Sequence, residues 1–247
     1  MPAVKSSGSP EFDRLKKCLD SNESLRRELE WALEANLNRI NPSDRANRFG
    51  SGAAVEWILA AAAYNAGILT APAGHNVDGY DLRNLRAKAQ GLWSVKNTTR
   101  PRTDFRLTNG MGGAGRGFVE PVIFLSPSLP GLTFADPNQH PSLADSVQVL
   151  GDATVLKFRS VLQHALSNPE CVATCRMPTN MGEGRDDPWM DYVESLLDSS
   201  RFPLLSKMFL EARSHGNSIV EVLEQLSKLL KTGVITQAQF DELVTKI

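Results

Sequence analysis

Val77-Asp78-Gly79-Tyr80-Asp81-Leu82 and, after a short charged connector, Leu92-Trp93-Ser94-Val95-Lys96-Asn97-Thr98 are the stretches on which the reading of the fold turns. Both read as short β-strands. The first ends in a carboxylate, and the second carries one lysine in an otherwise apolar and neutral run. Side chains alternate across a strand, so Ser94, Lys96 and Thr98 share one face while Trp93 and Val95 point the other way, into a core. A lysine in mid-strand beside an aspartate on the neighbouring strand demands a reason, because an unpaired buried charge is costly.

Upstream, the signals are helical. Leu25, Leu29, Leu33 and Leu37 recur every four residues, with Trp31, Ala32 and Ile40 beside them. Ser21, Asn22 and Ser24 offer N-caps, Asn41-Pro42 ends the run, and Gly50-Ser51-Gly52 is expected to break the chain. A second helix spans 53–66, with Val55, Ile58, Leu59, Ala62 and Ala63 as its stripe and Gly67 as its C′ residue. Glu56 is the only charge in this helix. It reads either as a solvent-facing first-turn carboxylate that complements the helix dipole or as a carboxylate aimed at the strand pair. Ile68-Leu69 and a loop with Pro72 and Gly74 lead into the Asp81 strand.

The order of these parts resembles a known family. A helix with Glu56, then Gly79-Tyr80-Asp81-Leu82, about a dozen residues, then a strand with Val95-Lys96-Asn97-Thr98 is similar to the PD-(D/E)XK nuclease superfamily, which includes restriction endonucleases and many DNA-repair nucleases. The resemblance covers roughly residues 50–125. It implies an α/β, restriction-endonuclease-like core (a mixed β-sheet flanked by helices) and a Mg²⁺-dependent DNA endonuclease of type II restriction type. Mn²⁺ is the expected substitute ion. Phosphodiester hydrolysis needs a divalent metal to polarise the phosphoryl oxygen and to make hydroxide at neutral pH. Mg²⁺ takes oxygen ligands and keeps several waters, so one or two carboxylates and a carbonyl suffice. Carried over, Asp81 is the metal carboxylate, the Val95 carbonyl a further ligand, and Lys96 the group that orients the attacking water and offsets charge on the phosphate.

One position departs from the pattern. The acid expected two before the lysine is Ser94, a poor Mg²⁺ ligand, which promotes Glu56 to the missing carboxylate. Asp78, better read as a turn residue, and Gln90 are lesser candidates. The departure leaves two readings open: an active enzyme with a migrated carboxylate, or a catalytically degenerate DNA-binding protein on a nuclease-like fold. An Asp–Lys cross-strand pair without chemistry is the plain alternative.

The flanks favour double-stranded DNA as the partner. Residues 81–117 carry a net charge of +6, from Arg83, Arg86, Lys88, Lys96, Arg100, Arg102, Arg106 and Arg116 against Asp81 and Asp104, while the whole chain is at −1. A local basic patch is the footprint of phosphate binding; the plain alternative is a solvated arginine-rich loop. Arg100, Arg102, Arg106, Asn109 and Arg116 are the expected DNA contacts. Gly110, Gly112 and Gly115 formally satisfy G-x-G-x-x-G, but a strand, Phe118–Leu125, follows instead of a helix, so a dinucleotide site is rejected. An interaction protein whose basic loop meets an acidic partner is the third reading.

The remaining chain supplies scaffolding. Leu132-Thr133-Phe134 reads as an edge strand and 152–167 as a helix carrying His164, a packed or exposed residue. Cys171 and Cys175, four apart and without a nearby histidine pair, read as small buried residues and not a zinc site. Three cysteines form no disulfide framework, so a reduced compartment, the prokaryotic cytoplasm, is expected; no apolar run approaches bilayer length. Gly8-Ser9-Pro10-Glu11-Phe12 resembles a cloning-linker scar, which sets residues 1–12 outside the fold as a tag. The nuclease-like core is placed at 13–182 with its N-terminal helix, and a helical module at 183–247 with a net charge of −4. An acidic helical module suits packing or dimerisation, and a homodimer is expected.

Overall fold

The computed structural model describes residues 5–39, 47–73, 80–86, 90–107, 118–150, 153–178, 193, 196–214, 236 and 239. The fold is mixed α/β. Three helices open it: α1 (Pro10–Ser21), α2 (Glu23–Arg39) and α3 (Asn47–Asn65). Asn22 separates α1 from α2, and its side-chain oxygen accepts from Leu25 N at 3.0 Å, as its capping chemistry predicts. Leu25, Leu29, Leu33 and Leu37 are fully buried. The expected break at Gly50–Gly52 does not occur, because α3 runs through it. Its end is as expected. Gly67 takes φ +71, its N–H reaches the Tyr64 carbonyl and the Ile68 N–H reaches that of Ala63, a Schellman close that favours glycine.

Residues 5–12 belong to the fold, against the expectation that they are a tag. Ser9 caps α1 by accepting from Phe12 N at 3.2 Å. Phe12 is fully buried, stacked on Phe134 at 4.8 Å and edge-on to Trp93 at 6.2 Å. A linker-like composition says nothing about an aromatic that meets two others across a core.

The main sheet has six strands in the order β1-β2-β3-β5-β6-β9. These are β1 (Thr70–Pro72), β2 (Leu82–Asn84), β3 (Gln90–Asn97), β5 (Val122–Leu125), β6 (Leu132–Ala135) and β9 (Val172–Ala173). All neighbours are antiparallel except β3 and β5, which run parallel with Ser94 beside Val122 and Lys96 beside Phe124. β6 is internal and not the expected edge. A second, three-stranded sheet, β4-β8-β7, is built from β4 (Phe105–Arg106), β7 (Val147–Leu150) and β8 (Ala153–Leu156). The expected helix over 152–167 is therefore shorter: β8 takes its first residues, and α5 (Phe158–Ser167) follows. Asp104 makes the switch, accepting from Phe158 N and Lys157 Nζ at 2.9 Å each and so capping α5 from a distant segment. Burial alone would raise the Asp104 carboxyl, but these hydrogen bonds hold it below the usual range.

The sheet buries both faces. Ile123, Leu125, Leu132, Phe134, Trp93 and Val95 pack on α1–α3, whereas Val122, Phe124 and Ala135 pack with Phe105, Leu156, Phe158 and Val161. Val193, Leu196, Leu197, Phe202, Leu205, Met208 and Phe209 join the first of these cores, the last two on α6 (Lys207–Ser214). Buried Glu28 of α2 accepts from Leu204 N and Leu205 N at 2.8 and 2.9 Å. Over its described residues, the segment beyond 183 thus belongs to the same body as α1–α3; the rest of the expected helical module, past residue 214, lies outside the described residues but for Thr236 and Gln239. Among the described residues no helix is long and apolar enough to cross a membrane.

Candidate active site

Asp81 stands at the entry to β2, one residue before the strand begins, and not inside a strand as expected; 74–79, with Asp78, lie outside the described residues. It is held from both sides. Its carbonyl accepts from Ala73 N at 2.7 Å, beside β1, and its Oδ2 accepts from Val95 N of β3 at 2.6 Å. Lys96 Nζ donates to the same Oδ2 at 3.3 Å, closing an ion pair whose side chains keep about a quarter of their surface exposed (25% and 26%).

Two sequence features aim this carboxylate. The β2–β3 register shifts between Leu82, opposite Trp93, and Arg83, opposite Gly91, so Leu92 is an extra residue and β3 bulges there. Such bulges bend a strand and re-aim the side chains next to it. The Tyr80 ring lies across Gly91, where a Cβ would fall 1.7 Å from Tyr80 Cδ2. Gly91 is therefore glycine because an aromatic ring crosses the strand at that point, and the ring fixes the residue before Asp81.

The expected face division in β3 holds. Trp93 and Val95 join the helical core, while Ser94 and Lys96 lie on the other face beside Val122 and Phe124. Ser94 is fully buried and donates to Glu120 Oε1 at 2.5 Å. Its hydroxyl is committed, so its part here is to hold Glu120. That carboxylate was missed in the sequence. The signal was the parallel register: Glu120-Pro121 precedes β5, and Ser94 N donates to the Pro121 carbonyl at 2.8 Å. Ser94 N–H faces β5, so the Val95 N–H and C=O face the Asp81 side.

Glu56 of α3 is half-buried, and its carboxyl is pushed up to about 8. Burial is the largest cause; the Asp81 charge raises it further, and the Lys96 ammonium opposes both. Glu56, Asp81 and Lys96 therefore act on one another electrostatically. Of the two readings of Glu56, the solvent-facing first-turn carboxylate fails, because α3 begins nine residues before it. Asp81, Glu56 and the Val95 carbonyl would offer hard oxygen donors of the type Mg²⁺ takes.

Arg100, Arg102 and Arg106 are exposed beyond β3, and Arg102 adopts φ +56, a turn conformation uncommon outside glycine and asparagine. Asn109 and Arg116, with the whole glycine-rich loop, lie outside the described residues, as does Lys88. Comparison with protein-family models, curated proteins and solved structures finds no match for the chain.

Proposed function

We propose that the protein is a Mg²⁺-dependent endonuclease of double-stranded DNA on a restriction-endonuclease-like core. The observation that carries this reading is the triad of Asp81, Lys96 and Glu56, with both partners of the partly buried ion pair coupled to a half-buried acid whose proton affinity is raised. A structural ion pair has no use for a second carboxylate that resists ionisation. A perturbed acid acting electrostatically on an ion pair is the mark of a functional site.

Asp81, Glu56 and the Val95 carbonyl would hold the metal, which when bound supplies a Lewis acid and a hydroxide source at neutral pH. Lys96, held by Asp81 in that pair, positions the attacking water against the phosphorus and offsets the charge that builds on the non-bridging oxygens. Glu120, fixed by Ser94, is a second acid close to the position where the family pattern places one. Arg100, Arg102 and Arg106 grip the DNA backbone as β3 leaves the sheet, joined by Asn109 and Arg116 on the loop that follows. A homodimer cutting both strands at a defined site is the form this reading takes.

The test is incubation of supercoiled plasmid with the protein at low salt, with Mg²⁺ or with EDTA. Discrete fragments with Mg²⁺ alone support the reading. Salt-sensitive DNA retention without cleavage supports instead a degenerate, DNA-binding protein, and neither result leaves the basic segment to an acidic protein partner.

A further inference from the structure

Three residues that sequence spacing keeps apart meet on the far side of β6. His140 is the N-cap residue of α4 (Pro141–Ala144), His164 lies in α5, and Cys171 ends the short 3-10 turn Pro169–Cys171. Their ligand atoms lie within 4.8 Å of one another, and the two rings meet edge-on with centroids 4.5 Å apart. His164 Nε2 is 2.9 Å from the Phe134 carbonyl. A carbonyl only accepts, so Nε2 carries the proton and Nδ1 keeps its lone pair, 3.1 Å from the Asn168 amide. His140 Nδ1 lies 3.3 Å from Asp136 N, from which it can accept, and 3.2 Å from the Asp136 carbonyl; with the ring proton turned to that carbonyl, Nε2 offers a lone pair towards Cys171 Sγ at 3.7 Å. Nitrogen and sulfur on one tetrahedral zinc are separated by about 3.5 Å, given bonds of roughly 2.0 and 2.3 Å. Carbonyls that hold the outward ring N–H are the usual support of metal-bound histidines.

We propose that His140 Nε2, His164 Nδ1 and Cys171 Sγ bind one Zn²⁺ as a clip, with solvent completing the coordination. Imidazole and thiolate donors select zinc over Mg²⁺. Binding releases the Cys171 thiol proton to solvent, and the Asn168 amide keeps its bond to the His164 carbonyl at 2.9 Å. The clip ties the β6–α4 connection to α5 and to the turn that leads into β9, independently of the Asp81 site.

Co²⁺ is the probe. The full-length chain, stripped with chelator and checked by circular dichroism, is titrated with Co²⁺ and then with Zn²⁺. The expected result is one Co²⁺ per chain with a thiolate-to-cobalt charge-transfer band that Zn²⁺ displaces. Cys171→Ser loses the band, and Cys18→Ser and Cys175→Ser keep it. If Cys171→Ser does not fold, His140→Ala, at a half-buried position, is expected to weaken binding by at least about tenfold. A folded wild type that shows no such band overturns the proposal, as does a band that survives in Cys171→Ser or affinity unchanged in His140→Ala.

Discussion

Replacing Glu56 by glutamine removes a charge that the folded protein resists. The Glu56 carboxyl moves from 4.5 in the unfolded chain to about 8 when folded. Between those values the native state holds a proton that the unfolded state has lost, so the wild type loses stability as pH rises from about 4.5 to 8. Each pKa unit corresponds to ~1.4 kcal/mol, which sets a ceiling of about 5 kcal/mol. Solvent reaching a half-buried site screens this, and the difference expected in a melt is about 2 kcal/mol. For a chain of this length that corresponds to roughly 4–8 °C in Tm. Glu56→Gln should therefore match the wild type near pH 4.5 and exceed it by this amount at pH 8–9 in EDTA. Added Mg²⁺ should raise the wild-type Tm at pH 8 and leave the variant nearly unmoved. Thermal melts across that pH range are the assay. A glutamine variant that is less stable than the wild type at pH 8 in EDTA, or a difference that does not vary with pH, would refute the raised proton affinity of Glu56.

Other outcomes follow from the same geometry. Gly91→Ala forces the Tyr80 ring off β3 and displaces Asp81; a misplacement of about 1 Å is expected to cost roughly 100-fold in cleavage rate, measured by single-turnover kinetics. Phe12→Ala should destabilise the protein by about 3–5 kcal/mol in urea titrations, whereas a true tag residue would leave the midpoint unchanged. Replacing Arg100, Arg102 and Arg106 together by alanine should make the log–log salt dependence of DNA binding shallower by about 2.7, if each neutralises one phosphate.

The helices and the β3 face division were legible because they are periodic. Leucines every four residues and the Trp93/Val95 alternation report local geometry directly, and Gly67 reports a left-handed turn. What was not legible depends on residues distant in sequence. Phe12 looks like linker until Phe134 and Trp93 are placed around it. The 153–156 stretch reads as the start of a helix until Asp104, far upstream, caps the chain at Phe158. Within the candidate site, Asp81 and Lys96 were visible from residue type and order. The standing of Glu56 was not, since it depends on how α3 packs against the Asp81 edge. Glu120 was hidden by the parallel β3–β5 register, which no local pattern announces. His164 and Cys171 were set aside, and His140 passed unnoticed, for the same reason: their spacing matches no compact motif, and only the turn after α5 brings the thiol to the rings.

The most direct test of the central claim is the cleavage rate of Lys96→Met, which keeps the length and packing of the side chain and removes its charge. The account predicts a folded protein that binds Mg²⁺ and DNA but cuts at least about 100-fold more slowly than the wild type. Cleavage at the wild-type rate would contradict it, and would place the chemistry away from Asp81 and Lys96.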